Sequence, residues 1–223
     1  MLVTIESIRD LGYEVDEIAP RVFQIHQFAT PEQTKILFDE AAGYSDDDWR
    51  GYYISEMKRN CLQKFGRDDL ENLIAEGLLE VTHSWEDKNI QIASKEVADD
   101  LGYRSKFIFN ESGELGVTGF TIFQRLYEGT QLISHFDQYS DKLVEYASVL
   151  YLNDDYTEGE LFFPRLGLDK VRPKPGDLVV FPGTAEYEHG VHPVGPGPVR
   201  YVIPTFIKRK HPDGPMAGWA DFG

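Results

Sequence analysis

From Gly116 onward the chain is a succession of short β-type runs, and no other feature restricts its fold as strongly. They read VTGFTIFQRLY, QLISHFD, LVEYASVLYLN, ELFF, DKV, DLVVF, EYEHGVHPV and VRYVIPTFIKR. Gly, Pro, Asn and Asp separate them, as at the turns of an antiparallel sandwich or barrel. Eight such runs in about 95 residues predict a compact jelly roll. The 14 Phe and 12 Tyr lean the same way, because aromatic rings pack well on a pleated surface.

The N-terminal part has a different texture. Arg21 to Gln27 (RVFQIHQ) reads as a short strand. Thr30-Pro31-Glu32-Gln33 is a helix start: Thr30 can cap, Pro31 suits the first turn, and Gln33 can close a capping box. Ile36, Leu37 and Ala41 give that helix an apolar face, which ends near Gly43. Residues 44–60 read as loop with one strand. Asp68 to Leu79 predicts a second helix, with Leu70, Leu73, Ile74 and Leu78 on one side. Residues 80–113 carry no clear period. With no internal repeat or Gly/Ser linker, a single domain over 1–223 is expected. It would be mainly β with N-terminal helices (α+β), residues 1–115 forming a strand and helix support layer and 116–210 the jelly-roll core.

Charge narrows the partners. With 22 Lys+Arg against 38 Asp+Glu the formal net charge is −16, which repels a phosphate backbone and an anionic membrane. Nucleic acid and membrane are therefore not expected partners. Cys61 is the only cysteine, so no intrachain disulfide is expected and a reducing cytoplasm fits. The N-terminus lacks the basic start and apolar stretch of a signal peptide, and no window reaches 18 apolar residues.

Chemistry concentrates in three of the β runs. In Ile133-Ser134-His135-Phe136-Asp137, strand geometry points His135 and Asp137 to one face, where an imidazole and a carboxylate can hold a divalent metal. His189, in EHGVHPV, is a third candidate. Two histidines and one carboxylate form the facial set of non-haem iron(II) oxygenases, which leaves coordination positions open for a chelating 2-oxo acid and O2. The same set is compatible with zinc or manganese. His192 is the rival for the third position; three residues from His189, it faces the other way on a strand. Arg200, at the head of the last run, can clamp the far carboxylate of a dicarboxylic cosubstrate, or form a structural ion pair. His26, His83 and His211 have no partners in sequence and read as ordinary polar residues.

Taken together, these features resemble the iron(II)/2-oxoglutarate-dependent dioxygenases, especially their prolyl 4-hydroxylase-like branch. The resemblance spans roughly residues 20–210. It is strongest in FQRLYEGTQLISHFDQYSD, SVLYLNDDYTEGELFFP, VRPKPGDLVVFP and EHGVHPVGPGPVRYVIPTF, which occur in the family's order. It implies a cupin-like double-stranded β-helix with His135, Asp137 and His189 as catalytic iron ligands. Arg200 would bind the distal carboxylate of 2-oxoglutarate and Tyr151 would share it. Tyr127 would line the pocket, and Phe206 would stand behind the cosubstrate or simply pack in the core. Iron(II), 2-oxoglutarate and O2 are the implied cofactor and cosubstrates, with ascorbate as an auxiliary reductant. The implied reaction hydroxylates a C–H bond while 2-oxoglutarate is decarboxylated to succinate and CO2.

The substrate implied by that branch is a prolyl residue of a peptide or protein, although the same scaffold also serves small molecules. Trp49, Tyr52, Tyr53 and Trp85 could line a substrate groove or belong to core and lid. The chain departs from the common pattern in five places, two of them a Tyr127-to-His135 interval one residue shorter and Leu161 where many members have Thr. The His189-to-Arg200 interval is one residue longer, Leu132 replaces a tyrosine, and Pro204 stands where some relatives place a cosubstrate-contacting Thr. Two other classes would fit the same residues. One is a catalytically silent jelly-roll protein that binds a metal or small ligand, and the other is a zinc or manganese cupin enzyme that uses no 2-oxo acid.

Overall fold

A computed structural model of the chain describes residues 3–51, 88–109 and 115–210. The expected helix Asp68 to Leu79 lies outside these residues, as do Tyr52, Tyr53, Cys61, His83, Trp85 and His211. The strands are β1 (Val15–Ala19), β2 (Val22–Ile25), β3 (Arg50–Gly51), β4 (Lys88–Gln91), β5 (Leu115–Val117), β6 (Ile122–Leu126) and β7 (Leu132–His135). They continue with β8 (Val144–Tyr151), β9 (Leu161–Phe163), β10 (Leu168–Val171), β11 (Leu178–Pro182), β12 (His189–Val191) and β13 (Arg200–Arg209). The helices are α1 (Ile5–Arg9), α2 (Pro31–Gly43), α3 (Lys95–Ile108) and the single turn α4 (Asp137–Ser140).

Two antiparallel sheets form the jelly roll. Among the described residues the larger has the order β1-β2-β11-β8-β13-β6-β4-β3, with β5 beside β13, and the smaller has the order β10-β9-β12-β7. Alternation along the central strands divides the core in two. Leu150, Leu178 and Ile203 lie in register across β8, β11 and β13 and face the helices, where Leu37 and Ala41 of α2 and Leu101 and Ile108 of α3 cover them. Val179 and Phe181 of β11, Ala147 and Tyr151 of β8 and Val202 of β13 face the smaller sheet and meet Leu161, Phe163 and Val191. A sheet covered on both faces reads as a continuous apolar run, which is why Leu178-Val179-Val180-Phe181-Pro182 is buried throughout.

The helix α2 begins as its sequence dictates. Thr30 Oγ1 accepts from the Gln33 backbone N–H at 3.2 Å, Gln33 Oε1 accepts from the Thr30 N–H at 3.1 Å, and Pro31 opens the first turn. Its buried stripe is Thr34, Leu37 and Ala41, whereas Ile36, expected on that face, points outward. The helix α3 falls in the stretch where no period was visible. Its buried face is Ala98, Leu101, Gly102, Ser105 and Ile108, mostly small, while its two aromatics Tyr103 and Phe107 are exposed. Residue size runs against the usual hydrophobic pattern there, so the period is masked.

The strand predicted at Arg21 to Gln27 is β2, and the structure adds β1 as its hairpin partner, turning through Arg21 at φ 59°. Gly176 fastens this hairpin's outgoing chain to the core. Its carbonyl accepts from Ala29 N–H at 3.0 Å, its N–H donates to Tyr151 O at 2.8 Å, and a Cβ there would lie 2.7 Å from Ala29 O. With φ at 91° as well, this position requires glycine.

Buried Asp177 completes the junction. Its carboxylate accepts from Gln24 Nε2 at 2.8 Å, Gln27 N–H at 3.1 Å and Lys174 N–H at 3.1 Å, and His26 Nδ1 lies 3.4 Å away. The other nitrogen of His26 is 3.0 Å from Asp16 Oδ2, and this hydrogen bond, with Asp177 adding to it, raises the imidazole's pKa above its ordinary value. A pKa raised on folding stabilises the fold below the unfolded value of about 6.5, and the contribution disappears as pH rises through the folded value. Melting temperature measured across pH 5–9 should therefore show a smaller difference between wild type and His26→Gln at the alkaline end than at the acid end.

Candidate metal centre and anion pocket

The strand β7 ends at His135, and Asp137 opens α4, so the His-x-Asp triplet straddles a strand end and does not lie within one strand as the sequence suggested. Phe136 keeps extended backbone (φ −132°, ψ 142°), and the alternation that puts positions 135 and 137 on one side survives the change of element. The strand β12 pairs antiparallel with β7 and sets His189 opposite His135, with ring centroids 4.5 Å apart. One potential ligand atom from each of His135, Asp137 and His189 lies within 4.8 Å of the other two. Asp137 and His189 are buried and His135 is partly so.

Both imidazoles are oriented by backbone carbonyls. His135 Nδ1 is 2.8 Å from Ile133 O, and His189 Nδ1 is 3.0 Å from Tyr187 O. A proton on each Nδ1 satisfies these contacts and leaves Nε2 as the lone-pair nitrogen, the tautomer a metal ligand needs. Burial, reinforced by neighbouring His135, holds the pKa of His189 well below the usual histidine range, so that ring is neutral. Phe181 packs edge-on against His189 at 4.5 Å, and Phe163 closes another side at 5.8 Å. The donor set thus fits a divalent cation of intermediate hardness with open positions, as iron(II) requires.

Outside the triad, the residue before each histidine ties the two strands together. Ser134 Oγ donates to Glu188 Oε1 at 2.7 Å, and Arg165 Nε donates to Glu188 Oε2 at 2.7 Å. Those two hydrogen bonds, with Ser134 the larger cause, hold the Glu188 carboxyl below its usual range. Gly190 lets the strands approach closely, since a Cβ there would lie 2.6 Å from Phe162 Cζ and 2.7 Å from Leu132 O. Gly190→Ala must push β12 off β7 and β9. It should cost about 1–3 kcal/mol of stability, seen in a urea titration, and should lower metal affinity as well.

Arg200, the first residue of β13, is 1% exposed. Its Nη2 donates to Tyr151 Oη at 3.2 Å, and its guanidinium carbon lies 5.0 Å from the Tyr151 ring centroid and 5.8 Å from that of Tyr156. Its Nε is buried with no hydrogen-bond partner, and among the described residues no carboxylate forms an ion pair with it. A buried, unneutralised guanidinium is costly, and an anion arriving from outside would offset that cost. Burial pushes the Tyr151 hydroxyl up to about 12, which keeps it protonated and able to donate. Tyr151 belongs to the same inter-sheet cluster as Phe163 and Phe181, the residues packed around His189, so metal centre and anion pocket share one interior.

The remaining sequence candidates fall as follows. Tyr127 is half-buried at the end of β6, next to Leu126, the cross-strand partner of Arg200. Phe206 packs on the inter-sheet cluster. His192 points away from the triad: its Nε2 is 3.0 Å from Asp169 O and its ring stacks on Phe162 at 4.4 Å. Trp49 is core, buried against Tyr201 and under the Arg125 guanidinium at 4.7 Å. Tyr156, Phe163, Phe181 and the Ser134–Glu188–Arg165 link were not singled out in the sequence. Only topology brings them to the site.

Residues 121–208 match the family described as the 2OG-Fe(II) oxygenase superfamily. No curated protein sequence matches the chain. Among solved structures, a viral collagen prolyl hydroxylase from Paramecium Bursaria Chlorella virus-1, in its 2OG complex, is 16% identical. That match covers 85% of this chain and 96% of the viral one at a TM-score of 0.58. A prolyl-4-hydroxylase of Pseudomonas putida is 21% identical over 95% of this chain and 100% of its own, TM-score 0.57. A prolyl hydroxylase of Trichoplax adhaerens, in complex with a hypoxia inducible factor peptide fragment, is 15% identical over 91% and 87%, TM-score 0.61. At these identities the likeness to the solved structures is one of fold.

Proposed function

We propose that this chain, whose residues 121–208 match the 2OG-Fe(II) oxygenase superfamily, is a dioxygenase of that kind and hydroxylates a prolyl residue of a peptide or protein. In this reading His135, Asp137 and His189 hold the iron, and Arg200 with Tyr151 receives the distal carboxylate of 2-oxoglutarate. One observation carries it: a cluster of three ligand atoms shares its interior with a buried guanidinium that has no carboxylate partner among the described residues. A catalytically silent binding protein is less well supported, because it has no need of both features.

Bound iron and 2-oxoglutarate supply the hard chemistry, coupling decarboxylation of the 2-oxo acid to succinate with hydroxylation of a C–H bond by O2. The protein's own part is placement and exclusion of water. Ile133 O and Tyr187 O fix the two imidazoles, Glu188 holds their strands together, and Phe163 and Phe181 keep the His189 side dry. Arg200 donates to the Tyr151 oxygen, which leaves the Tyr151 O–H to donate to the incoming carboxylate. A guanidinium and a hydroxyl presented together select a five-carbon dicarboxylic 2-oxo acid over a monocarboxylic one.

The prolyl assignment is supported by three solved structures that share the fold and are prolyl hydroxylases, one holding a peptide. The test is incubation of the iron-loaded protein with a proline-containing peptide library and 2-oxoglutarate, read by mass spectrometry. A gain of one oxygen on proline, matched mole for mole by succinate, is the expected result. Succinate formation coupled to hydroxylation of some other residue or of a small molecule would replace the prolyl substrate and keep the reaction class.

A further inference from the structure

The loop between β8 and β9 places a second tyrosine over Arg200. Tyr156 is 1% exposed, yet its hydroxyl is buried without a hydrogen-bond partner. Tyrosine hydroxyls in protein interiors are ordinarily bonded, since an unpaired one bears its full cost of leaving water. The Tyr156 ring faces Arg200 at 5.8 Å, and its hydroxyl is close enough to Tyr151 to help raise that residue's pKa.

The position is built. Asn153 pins the start of the loop: its Oδ1 accepts from Tyr201 N–H at 2.9 Å, and its Nδ2 donates to Val199 O at 2.7 Å. Arg172 braces the other side. It donates to Asp154 O and Glu158 O, each at 3.2 Å, and to Tyr156 O, and its guanidinium lies 4.6 Å from the Tyr156 ring centroid. Two guanidinium groups thus approach the ring, Arg172 at 4.6 Å and Arg200 at 5.8 Å. Gly159 permits the close approach, because a Cβ there would meet Val194 Cγ2 at 2.9 Å, Tyr156 Cδ2 at 3.5 Å and Arg200 Cδ at 3.6 Å. From the other direction, Val202 and Pro204 follow Arg200 on the same face of β13 and offer no side-chain donor.

We propose that Tyr156 is a cosubstrate-binding residue: its hydroxyl donates to the distal carboxylate of 2-oxoglutarate, alongside Arg200 and Tyr151. This rests on the reading of the pocket given above and deepens it. The orphaned hydroxyl and the orphaned Arg200 Nε then share one missing partner, and an anion with two oxygens can satisfy both.

The test is calorimetric titration of manganese(II)-loaded protein, wild type and Tyr156→Phe, with 2-oxoglutarate and with 2-oxobutyrate, which lacks the far carboxylate. Tyr156→Phe should bind 2-oxoglutarate about tenfold or more weakly, the loss of one hydrogen bond to a charged acceptor. Its affinity for 2-oxobutyrate should match wild type, a pattern that mere loosening of the loop would not give. Tyr156→Phe affinity for 2-oxoglutarate within twofold of wild type overturns the assignment and leaves the dioxygenase reading intact. Wild type that fails to bind 2-oxoglutarate at all removes both together. Equal weakening toward both acids also overturns it, because the effect would then not run through the distal carboxylate.

Discussion

Asp137→Ala should abolish iron binding and turnover while leaving the jelly roll folded. The carboxylate is the single acidic member of a set whose other two members are histidines, so it carries the electrostatic share of the attraction for a divalent cation. Losing a hydrogen-bonding partner around a ligand typically costs about 10–100-fold in metal affinity, and loss of the ligand itself should exceed that. His189→Ala should be nearly as severe, and His135→Ala likewise. His192→Ala should not be, because His192 stacks on Phe162 outside the cluster. Metal content after dialysis, measured beside the circular dichroism of each variant, separates lost ligation from lost fold. Full iron content in Asp137→Ala would sink the ligand assignment.

Arg200→Met is the second large effect, and it has two opposite signs. Removing one side of a buried charge pair costs about 2–5 kcal/mol, so affinity for 2-oxoglutarate should fall by roughly 30-fold to several thousand-fold. Without the cosubstrate the same variant should melt at or above the wild-type temperature, because it replaces a buried cation that has no carboxylate partner among the described residues with an apolar chain of similar length. The stabilisation that saturating 2-oxoglutarate gives the wild type, about 2.7 kcal/mol at a hundred times its Kd, should fall below about 1 kcal/mol in the variant at the same concentration. If Arg200 instead served a structural ion pair, the ligand-free variant would melt lower and cosubstrate affinity would be unchanged. Thermal melts with and without 2-oxoglutarate distinguish the two.

Much of this was visible before any coordinates, and physical reasons separate the part that was from the part that was not. Apolar and aromatic runs bounded by turn residues, such as Val144–Tyr151, and helices with a chemical start signal, such as Thr30 to Gln33, announce themselves locally. His135 and Asp137 are two residues apart, so spacing alone puts them together, whereas the choice of His189 over His192 came from the family resemblance of the EHGVHPV run. That Asp137 would leave the strand for α4 could not be seen, since extended backbone at Phe136 preserves the same geometry.

The helix α3 stayed hidden because small residues form its buried face and aromatics its exposed one. Tyr156 stayed hidden for another reason. Its role depends on contacts from Arg172, Gly159 and Arg200, which come from three separate segments, and its own surroundings in sequence read only as a turn. The charge of −16 gave no sign of the buried Arg200 guanidinium near Tyr151, which has no carboxylate partner among the described residues. Among the described residues no helix is long and apolar enough to cross a membrane, in line with the absence of any apolar run of that length.

The most direct test is an anaerobic titration of the iron(II)-loaded protein with 2-oxoglutarate, followed by visible absorption. Iron held by His135, Asp137 and His189 with open positions, beside a pocket for the far carboxylate, predicts a weak visible charge-transfer band. The band should saturate at one 2-oxoglutarate per chain and be lost in Asp137→Ala. Folded, iron-loaded protein that shows no such band at saturating 2-oxoglutarate would contradict the account, and the site would then belong to another metal or to a binding protein.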